Sequence, residues 1–310
     1  MQKEVAMRIV LLGQAAFGEK VLDRLVHDGE EIVGVYTIPD APGRPNPVKD
    51  LTVKLGIPVF QPPKLRAPEV FTEYVKLKPD LNVMAFVTDI VPETILNYPK
   101  FGTIQYHPSL LPRHRGGSSI NWAIIKGETR TGLTIFWPDK GLDTGPILLQ
   151  KEVEISPDDT TGSLYFNKLF PLGIEAIAEA VALVKAGKAP KIPQDEREAT
   201  YEGLCTDKVA VIDWTKPAGD VYNLIRGTNP QPGASTSFQG KEFKIFDSEL
   251  KPAVSGEPGQ VISVDQSGFT VAAKGGAVLV KRVQLKGSPK IAAVELAGQL
   301  NLKPGDKLGS

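Results

Sequence analysis

Two residues capable of acid–base chemistry follow neighbouring apolar runs of the sequence. His107 ends the run Gly102–Tyr106, and Asp143 lies in a loop framed by Gly and Pro after the next run, Leu133–Trp137. In open α/β sheets, ligands bind beyond the carboxyl ends of strands. A carboxylate beside an imidazole can hold the charge of the ring or orient an attacking water. From the residues alone, a buried structural histidine and a turn-forming aspartate remain the alternative explanation.

Other kinds of chemistry have weaker support. The segment Gly13–Gly18 (GQAAFG), with Asp40 after the next apolar run, is similar to a dinucleotide-binding turn but lacks its middle glycine. A tight strand-to-helix turn is therefore favoured, and a nicotinamide-dependent oxidoreductase is kept only as an alternative. The other histidines, His27 and His114, have no cysteine or carboxylate at metal-ligand spacing, so no metal is expected.

Apolar runs alternate with helical patterns through the first part of the chain. Strands are predicted at 9–13, 31–37, 58–60, 81–86, 102–107 and 131–137. Continuous apolar runs are typical of strands buried on both faces, and their alternation with helices predicts a Rossmann-like, doubly wound α/β sheet. A helix capped at Asp159–Thr160 is predicted to bury one stripe of side chains at helical spacing. The stripe consists of Phe166, Phe170, Ile174, Ile177, Val181 and Val184.

The second part of the chain has a different pattern. Two prolines within Lys188–Gln194 predict an extended linker. Domains are accordingly predicted at 1–188 and 206–310, with the linker at 189–205. Short apolar runs separated by Gly, Pro and Ser predict a small β-barrel after one helix in the second domain.

Composition and charge limit the classes of protein. Of the 310 residues, 41% are hydrophobic and 23% are charged, which is ordinary for a folded globular protein. The 36 basic and 36 acidic residues cancel, so the net charge favours neither a nucleic-acid nor a membrane partner. The lone Cys205 forms no disulfide within the chain, and no apolar run is long enough for a membrane span. A cytoplasmic location is therefore expected.

Two motifs carry a resemblance to a known family. HPSLLPRHRGGSSINWAI (107–124) and GLDTGPILLQ (141–150) resemble the folate-dependent formyltransferase superfamily, and the likeness extends over essentially the whole chain. Together with Tyr201–Gly203 and Asn223–Gly227, they are most similar to the N-terminal hydrolase domain of 10-formyltetrahydrofolate dehydrogenase, and methionyl-tRNA formyltransferase is similar as well. The resemblance implies a formyltransferase fold, in which a Rossmann-like domain precedes a smaller, OB-like barrel domain.

The resemblance also implies site residues. The family's catalytic histidine and essential aspartate correspond to His107 and Asp143. Two residues before the histidine, transferases of the family usually have asparagine and the dehydrogenase's hydrolase domain has an aliphatic residue. This chain has Gln105 there, which is expected to be a second oxyanion donor. The formyl donor, 10-formyltetrahydrofolate, is expected to lie between the loops that contain Phe86, Asp89, Ile90, Val91 and Leu142.

The function predicted on this basis is removal of the formyl group of 10-formyltetrahydrofolate to water. Transfer to an amine, such as methionyl-tRNA or an amino sugar, and a folate-binding module that needs a partner remain alternatives. tRNA is not the expected acceptor, because the loop 39–49 is short and its basic residues are only Arg44 and Lys49. Arg113 and Arg115 are either contacts for an anionic acceptor or the folate glutamate tail, or solvated loop residues.

Overall fold

The computed structural model describes residues 7–309, and the chain divides into two compact units. The first unit comprises the chain up to Arg115 together with Gly132–Glu152 and Lys168–Tyr201. The second comprises Gly116–Thr131, Val153–Asn167 and the chain from Glu202 onward. Each unit therefore collects segments that are separated in the sequence.

The elements of residues 7–309 follow in chain order. The strands are β1 (Arg8–Gly13), β2 (Glu31–Tyr36), β3 (Val59–Phe60), β4 (Leu81–Ala85), β5 (Thr103–His107), β6 (Arg130–Phe136), β7 (Ile147–Glu154), β8 (Ala234–Phe238), β9 (Lys241–Lys251), β10 (Val261–Asp265), β11 (Gly268–Ala273), β12 (Gly276–Leu285) and β13 (Ile291–Ala292). The α-helices are α1 (Ala15–His27), α2 (Pro47–Lys54), α3 (Pro68–Tyr74), α4 (Glu93–Leu96), α5 (Ser119–Ile125), α6 (Thr161–Leu164), α7 (Phe170–Lys185), α8 (Ala218–Gly227) and α9 (Ala293–Leu300). None of these helices is long and apolar enough to cross a bilayer.

The first sheet has the strand order β3-β2-β1-β4-β5-β6-β7. Strands β1 to β5 pair in parallel, whereas β6 is antiparallel to β5 and places Thr134 opposite His107. The predicted parallel α/β arrangement is thus confirmed for five strands. The direction in which the chain adds strands reverses between β1 and β4, which is the switch point where such sheets bind ligands.

Helices cover both faces of the first sheet. In β1, Ile9 and Leu11 belong to a core cluster with Phe17 of α1 and with residues of α7. Val10 and Leu12 belong to a second cluster with residues of α3 and α4. Successive side chains leave a strand on opposite faces, so an entirely apolar strand needs both faces covered. The predicted doubly wound architecture has this physical basis.

The second unit contains an antiparallel sheet in the order β10-β11-β12-β9-β8, with β13 paired to β12. Its core packs against α8 and α9 through residues such as Val221, Ile225 and Leu296. The predicted barrel closure is not confirmed, because β10 and β8 form the two ends of an open sheet. The two helices cover the apolar face that a closed barrel would turn inward.

The predicted helix after Asp159 begins where expected. Thr160 and Ser163 form a capping box at the start of α6. One turn of π-helix, Tyr165–Leu169, then separates α6 from α7. The wider turn breaks the helical period, and Phe166 is 62% exposed. The predicted burial was therefore wrong for Phe166, whereas the C-terminal part of the stripe, including Ile177, is buried.

Candidate active site

His107 and Asp143 lie side by side in the first unit. Both are buried, with 6% and 8% of their surface exposed. Nδ1 of His107 is 3.5 Å from Oδ2 of Asp143, and Nε2 is 2.8 Å from the carbonyl oxygen of His114. A carbonyl oxygen only accepts hydrogen bonds, so Nε2 is the donor there. Both ring nitrogens of His107 therefore lie next to oxygen atoms, one of a carboxylate and one of a backbone carbonyl.

The loop that carries Asp143 has to fold back to reach His107. Since β6 is antiparallel to β5, with Phe136 opposite Gln105, the loop 137–146 starts beside the middle of β5. It does not start at the carboxyl edge of the sheet, where a loop after a parallel strand would be. Asp143 also has a φ of +55°, in the left-handed region that residues with a side chain adopt rarely.

Short polar contacts determine the shape of this loop. Oδ1 of Asp139 accepts hydrogen bonds from the backbone N–H of Gly141 at 2.9 Å and from the hydroxyl of Thr144 at 2.6 Å. At Gly145, an added Cβ would be 1.7 Å from the carbonyl oxygen of Trp137, so a side chain does not fit. In the motif GLDTG, the two glycines and the threonine thus determine the shape of the loop, and Asp143 provides its carboxylate.

Gln105 lies on the same strand as His107. The two residues are two apart in β5, so their side chains leave the strand on the same face. Gln105 is half-buried, and its amide makes no hydrogen bond within residues 7–309. A half-buried amide without a partner is available to a ligand.

Three residues of the predicted folate cleft expose large apolar side chains. Phe86 follows β4 and is 48% exposed, Ile90 in the same loop is 74% exposed, and Leu142 beside Asp143 is 61% exposed. Exposed apolar side chains that recur in neighbouring loops are typical of a ligand-binding surface. Phe86 has a φ of +61°, so this loop is also locally strained.

The other two predicted cleft residues contribute to the loop itself. Oδ2 of Asp89 accepts a hydrogen bond from the backbone N–H of Leu65, and its Oδ1 accepts one from the backbone N–H of Ile90, both at 2.9 Å. Val91 is buried in the cluster beneath the loop. Because these two side chains make contacts within the protein, the part of the loop that a ligand can contact here is its backbone.

A cavity of about 210 Å³ lies at the switch point of the sheet. It is lined by residues that follow β1, β2, β3 and β4, among them Gln14, Thr37, Lys64, Thr88 and Asp89. Ligands of doubly wound sheets bind in this crevice. The cavity shares Asp89 with the loop that carries the exposed Phe86 and Ile90.

The two arginines of the motif have different surroundings. Arg113 is exposed and donates to Glu198 at 3.2 Å. The side chain of Arg115 is fully buried and donates to Gln194 and Glu196. Neither alternative expected for Arg115 fits, because its guanidinium is buried rather than solvated and is already paired within the protein.

Sequence reasoning missed Gln194, which lies in the predicted linker. Its Nε2 donates to the carbonyl oxygens of Asp143 at 2.9 Å and of Gly145 at 2.7 Å. A glutamine between a proline and an aspartate has no local pattern that predicts this contact. Only the tertiary structure brings it beside the loop.

The remaining reactive groups are possible metal ligands and the thiol of Cys205. Within residues 7–309, His, Cys, Asp and Glu side chains form no group of three or more that could hold a metal ion. Cys205 is half-buried, and burial raises the pKa of its thiol. A raised pKa keeps the thiol protonated, so Cys205 is a weak nucleophile.

Comparison with known proteins identifies the relatives of this site. Residues 7–181 match the formyl transferase family, and residues 205–301 match the C-terminal domain of formyl transferases. The chain belongs to the formyltransferase family. Gln105, His107 and Asp143 all lie in the first matched region. The predicted family is thereby confirmed.

Members of the family differ in length and in the reactions that their names state. Cytosolic 10-formyltetrahydrofolate dehydrogenase of Mus musculus is 47% identical over 249 residues, which is 79% of this chain but 28% of that protein. Methionyl-tRNA formyltransferase of Geotalea daltonii is 40% identical over 309 residues, 98% of both chains. HypX from Aquifex aeolicus in complex with tetrahydrofolic acid has a TM-score of 0.69 at 21% identity, covering 96% of this chain and 48% of that one. The chain thus spans less than a third of the dehydrogenase, and the likeness to HypX concerns the fold.

The expectation about tRNA is not supported by these relatives. A methionyl-tRNA formyltransferase matches the chain over nearly its whole length. The loop 39–49 is short and has two basic residues, but contacts to a nucleic-acid backbone can come from other surfaces.

Proposed function

We propose that the chain binds 10-formyltetrahydrofolate and transfers the formyl group to water, which gives tetrahydrofolate and formate. The observation that carries the proposal is the buried pair of His107 and Asp143, with a separation of 3.5 Å. An imidazolium is suited to an oxyanion, and a carboxylate is suited to the proton of an attacking water. The exposed Leu142 lies directly beside this pair in the sequence.

In the proposed reaction, Asp143 accepts a proton while the water oxygen attacks the formyl carbon. The carbonyl oxygen becomes an oxyanion, which accepts hydrogen bonds from Nδ1 of His107 and from the amide of Gln105. The bond between the formyl carbon and N10 then breaks, and N10 takes the proton from Asp143. The oxyanion returns to a carbonyl as formic acid leaves, so the step consumes one water and needs no oxidant or reductant.

The distance between His107 and Asp143 suits this sequence. At 3.5 Å the two groups attract each other but lie beyond the usual length of a hydrogen bond. The Nδ1 proton is therefore available to an oxyanion that enters the site. Each acid–base or oxyanion contribution of this kind is typically worth about 10²- to 10⁴-fold in rate.

The folate ring system is proposed to pack on Phe86, Ile90 and Leu142. Removing apolar surface from water contributes about 25 cal/mol per Å², so these exposed side chains are a source of binding energy. The backbone of Asp89–Val91, apart from the N–H of Ile90 that already donates to the Asp89 carboxylate, supplies donors and acceptors for the edge of the pterin. The hydrogen bonds of the Asp89 carboxylate keep that backbone in one conformation.

Water is the proposed acceptor because the motifs of the chain resemble the N-terminal hydrolase domain of 10-formyltetrahydrofolate dehydrogenase. The identity to that protein in mouse reaches 47%. Transfer to an amine is the second candidate, supported by the match to methionyl-tRNA formyltransferase along 98% of both chains. An amino group would take the place of the water in the same attack. The free amide of Gln105 is relevant to both reactions, because each forms the same oxyanion.

The decisive experiment is incubation of the purified chain with 10-formyltetrahydrofolate, first without an amine and then with methionyl-tRNA or a nucleotide-linked amino sugar. Sustained release of formate that is lost in Asp143→Ala supports hydrolysis. Incorporation of formyl into an amine much faster than formate release identifies transfer. Binding of folate with neither reaction would make the chain a folate-binding module, and absence of binding would overturn the proposal.

A further inference from the structure

The amide of Gln194 uses all of its hydrogen-bonding capacity. Its nitrogen donates to two carbonyl oxygens of one loop, those of Asp143 at 2.9 Å and Gly145 at 2.7 Å. Its oxygen accepts from Nε of Arg115 at 3.1 Å and from a terminal nitrogen of the same guanidinium at 2.8 Å. A side-chain amide has two N–H donors and one oxygen with two lone pairs, so no group is left over.

Arg115, which holds the oxygen end of that amide, is itself fixed. Its buried guanidinium donates to the two carboxylate oxygens of Glu196 at 2.7 and 2.9 Å and to the hydroxyl of Tyr201. The preceding residue, His114, supplies the carbonyl oxygen that accepts from Nε2 of His107 at 2.8 Å. A charged, bidentate pair of this kind has a well-defined geometry.

These contacts form a closed path through the site, which we call the Gln194 network. It runs from His107 to the backbone of His114, through Arg115 and Gln194 to the backbone of Asp143, and returns from the Asp143 carboxylate to His107. Both members of the candidate pair are thus attached to the same buried arginine. His107 is linked to Arg115 through the backbone carbonyl of His114, and Asp143 is linked to it through Gln194.

We infer that Gln194 is a positioning residue that holds the carboxylate of Asp143 opposite Nδ1 of His107. The inference rests on the proposed function of that pair. The loop 137–146 starts beside Gln105 and must fold back, and Asp143 has a left-handed backbone, so its position needs support. Gln194 provides that support from a separate segment of the chain.

Two variants separate the two ends of the amide. Gln194→Glu keeps an oxygen for Arg115 but turns a second oxygen toward the carbonyls of Asp143 and Gly145. Gln194→Met removes both ends without adding charge. Both should lower kcat by about 10- to 100-fold, because small misplacements of reacting groups have effects of this size. Binding of a non-reactive folate analogue should change by less than about twofold, since neither variant alters the apolar loop residues.

Gln284→Met is the control. The amide of Gln284 also donates to a backbone carbonyl oxygen, that of Ser288 at 2.7 Å, but it lies in the second unit and outside the candidate site. Its loss should leave kcat unchanged. If Gln194 were only structural, Gln194→Glu would keep both stability and kcat through its contact with Arg115. Full activity of Gln194→Met would mean that the added charge alone causes the loss in Gln194→Glu. Unchanged kcat in Gln194→Glu or in Gln194→Met would therefore overturn the inference.

A spectroscopic measurement tests the inference without turnover. In ¹⁵N NMR spectra, Nδ1 of His107 should shift in Gln194→Met because its neighbour Asp143 has moved. Nε2 should shift much less, because the carbonyl of His114 still holds it. Unchanged Nδ1 would overturn the inference even if the wild-type chain released no formate, whereas that lack of release by itself would concern only the proposed function.

A double substitution tests whether Gln194 acts through Asp143. In the Asp143→Asn background, Gln194→Met should lower the residual kcat by much less than it does in the wild type, because the carboxylate that it positions is already gone. Non-additivity is the expected signature of residues that act as one unit. An equal loss in both backgrounds would contradict the assigned role.

Discussion

The loops around the candidate site and the turn between β11 and β12 have a left-handed backbone at different kinds of residue. Around the candidate site of the first unit, Phe86, His114 and Asp143 have φ values of +61°, +56° and +55°. In the second unit, Gly275 forms the turn between β11 and β12 with a φ of +71°. A left-handed backbone costs a residue with a side chain about 1–2 kcal/mol and costs glycine almost nothing. The site loops are therefore strained where this turn is not.

The strained positions are also those that the site uses. The carbonyl of His114 bonds His107, the carboxylate of Asp143 faces the same ring, and Phe86 exposes its side chain in the cleft. Strained backbone persists only where the surrounding structure holds it, and it concentrates at functional sites. The site loops thus give up stability at these three positions for the placement of particular groups.

The largest effect is expected from loss of the carboxylate. Asp143→Ala and Asp143→Gly should both lower kcat for formate release by about 10⁴-fold, the upper end of what a positioned acid–base group contributes, because the proton acceptor is gone. Glycine fits a φ of +55° without strain. The free energy of unfolding of Asp143→Gly should therefore exceed that of Asp143→Ala by about 1–2 kcal/mol. Initial rates and urea unfolding curves of the two variants measure both quantities.

His107 provides the matched control for that comparison. His107→Ala and His107→Gly should also abolish turnover, but His107 lies in the extended strand β5. Glycine in a strand is less stable than alanine by about 0.5–1 kcal/mol, so the order of stabilities should reverse. Wild-type rates in any of these variants, or the same order at both positions, would contradict the role assigned to the strained loop.

A smaller effect is expected at Gln105, on the unstrained strand of the site. Gln105→Leu removes one proposed oxyanion donor, and removal of such a donor typically costs about 10²- to 10³-fold. Because both reactions form the same oxyanion, attack by water and attack by an amine should lose rate to a similar extent. Both rates can be measured with the same enzyme preparation. A much larger loss for the amine would show that the amide serves mainly transfer.

The strands of the first unit were predictable because their side chains are apolar on both faces. The run at β1 shows this best, since Ile9 and Val10 are both fully buried on opposite sides. Strand direction was not predictable in the same way. Nothing in the residues of β6 indicates that it runs antiparallel to β5, because direction depends on the path of the connecting segment. Closure of the second sheet likewise depends on how α8 and α9 pack.

The candidate site was predictable in part. The contact between His107 and Asp143 was expected because both follow predicted strands and because the family resemblance assigns them. Gln194 and the buried Arg115 were not expected, since one lies in a proline-rich segment and the other between polar loop residues. A fully buried arginine is recognisable only once its partners are known. Local patterns predict elements, whereas contacts between distant segments require the fold.

The reference turn of the second unit gives the next prediction. Gly275→Ala should lower the free energy of unfolding by about 1–2 kcal/mol, because alanine is strained at a φ of +71°. Gly219 in α8 is the control, since an added Cβ there meets nothing within 4 Å and φ is not positive. Gly219→Ala should instead stabilise by up to about 1 kcal/mol. Formate release should be unchanged in both, and a loss of turnover in Gly275→Ala would mean that this turn is not a neutral reference.

The smallest effect is expected from acid, through the Gln194 network. The hydrogen bond from Arg115 holds the pKa of the Glu196 carboxyl below its ordinary value of 4.5. Because the folded pKa is lower than the unfolded one, the pair stabilises the fold at neutral pH, and this contribution is lost as pH falls below 4.5 through the folded pKa. Glu196 is exposed, so the contribution is small.

Glu196→Gln tests this titration. The variant should melt slightly below the wild type at pH 7, and the two melting temperatures should converge as the pH falls below 4.5, where Glu196 of the wild type becomes protonated. Parallel curves would show that Arg115 does not depend on this charge. The expected result is that the melting temperatures converge and that formate release falls over the same pH range in the wild type but not in the variant. This result would show that the pair of Glu196 and Arg115 supports the loop that carries Asp143.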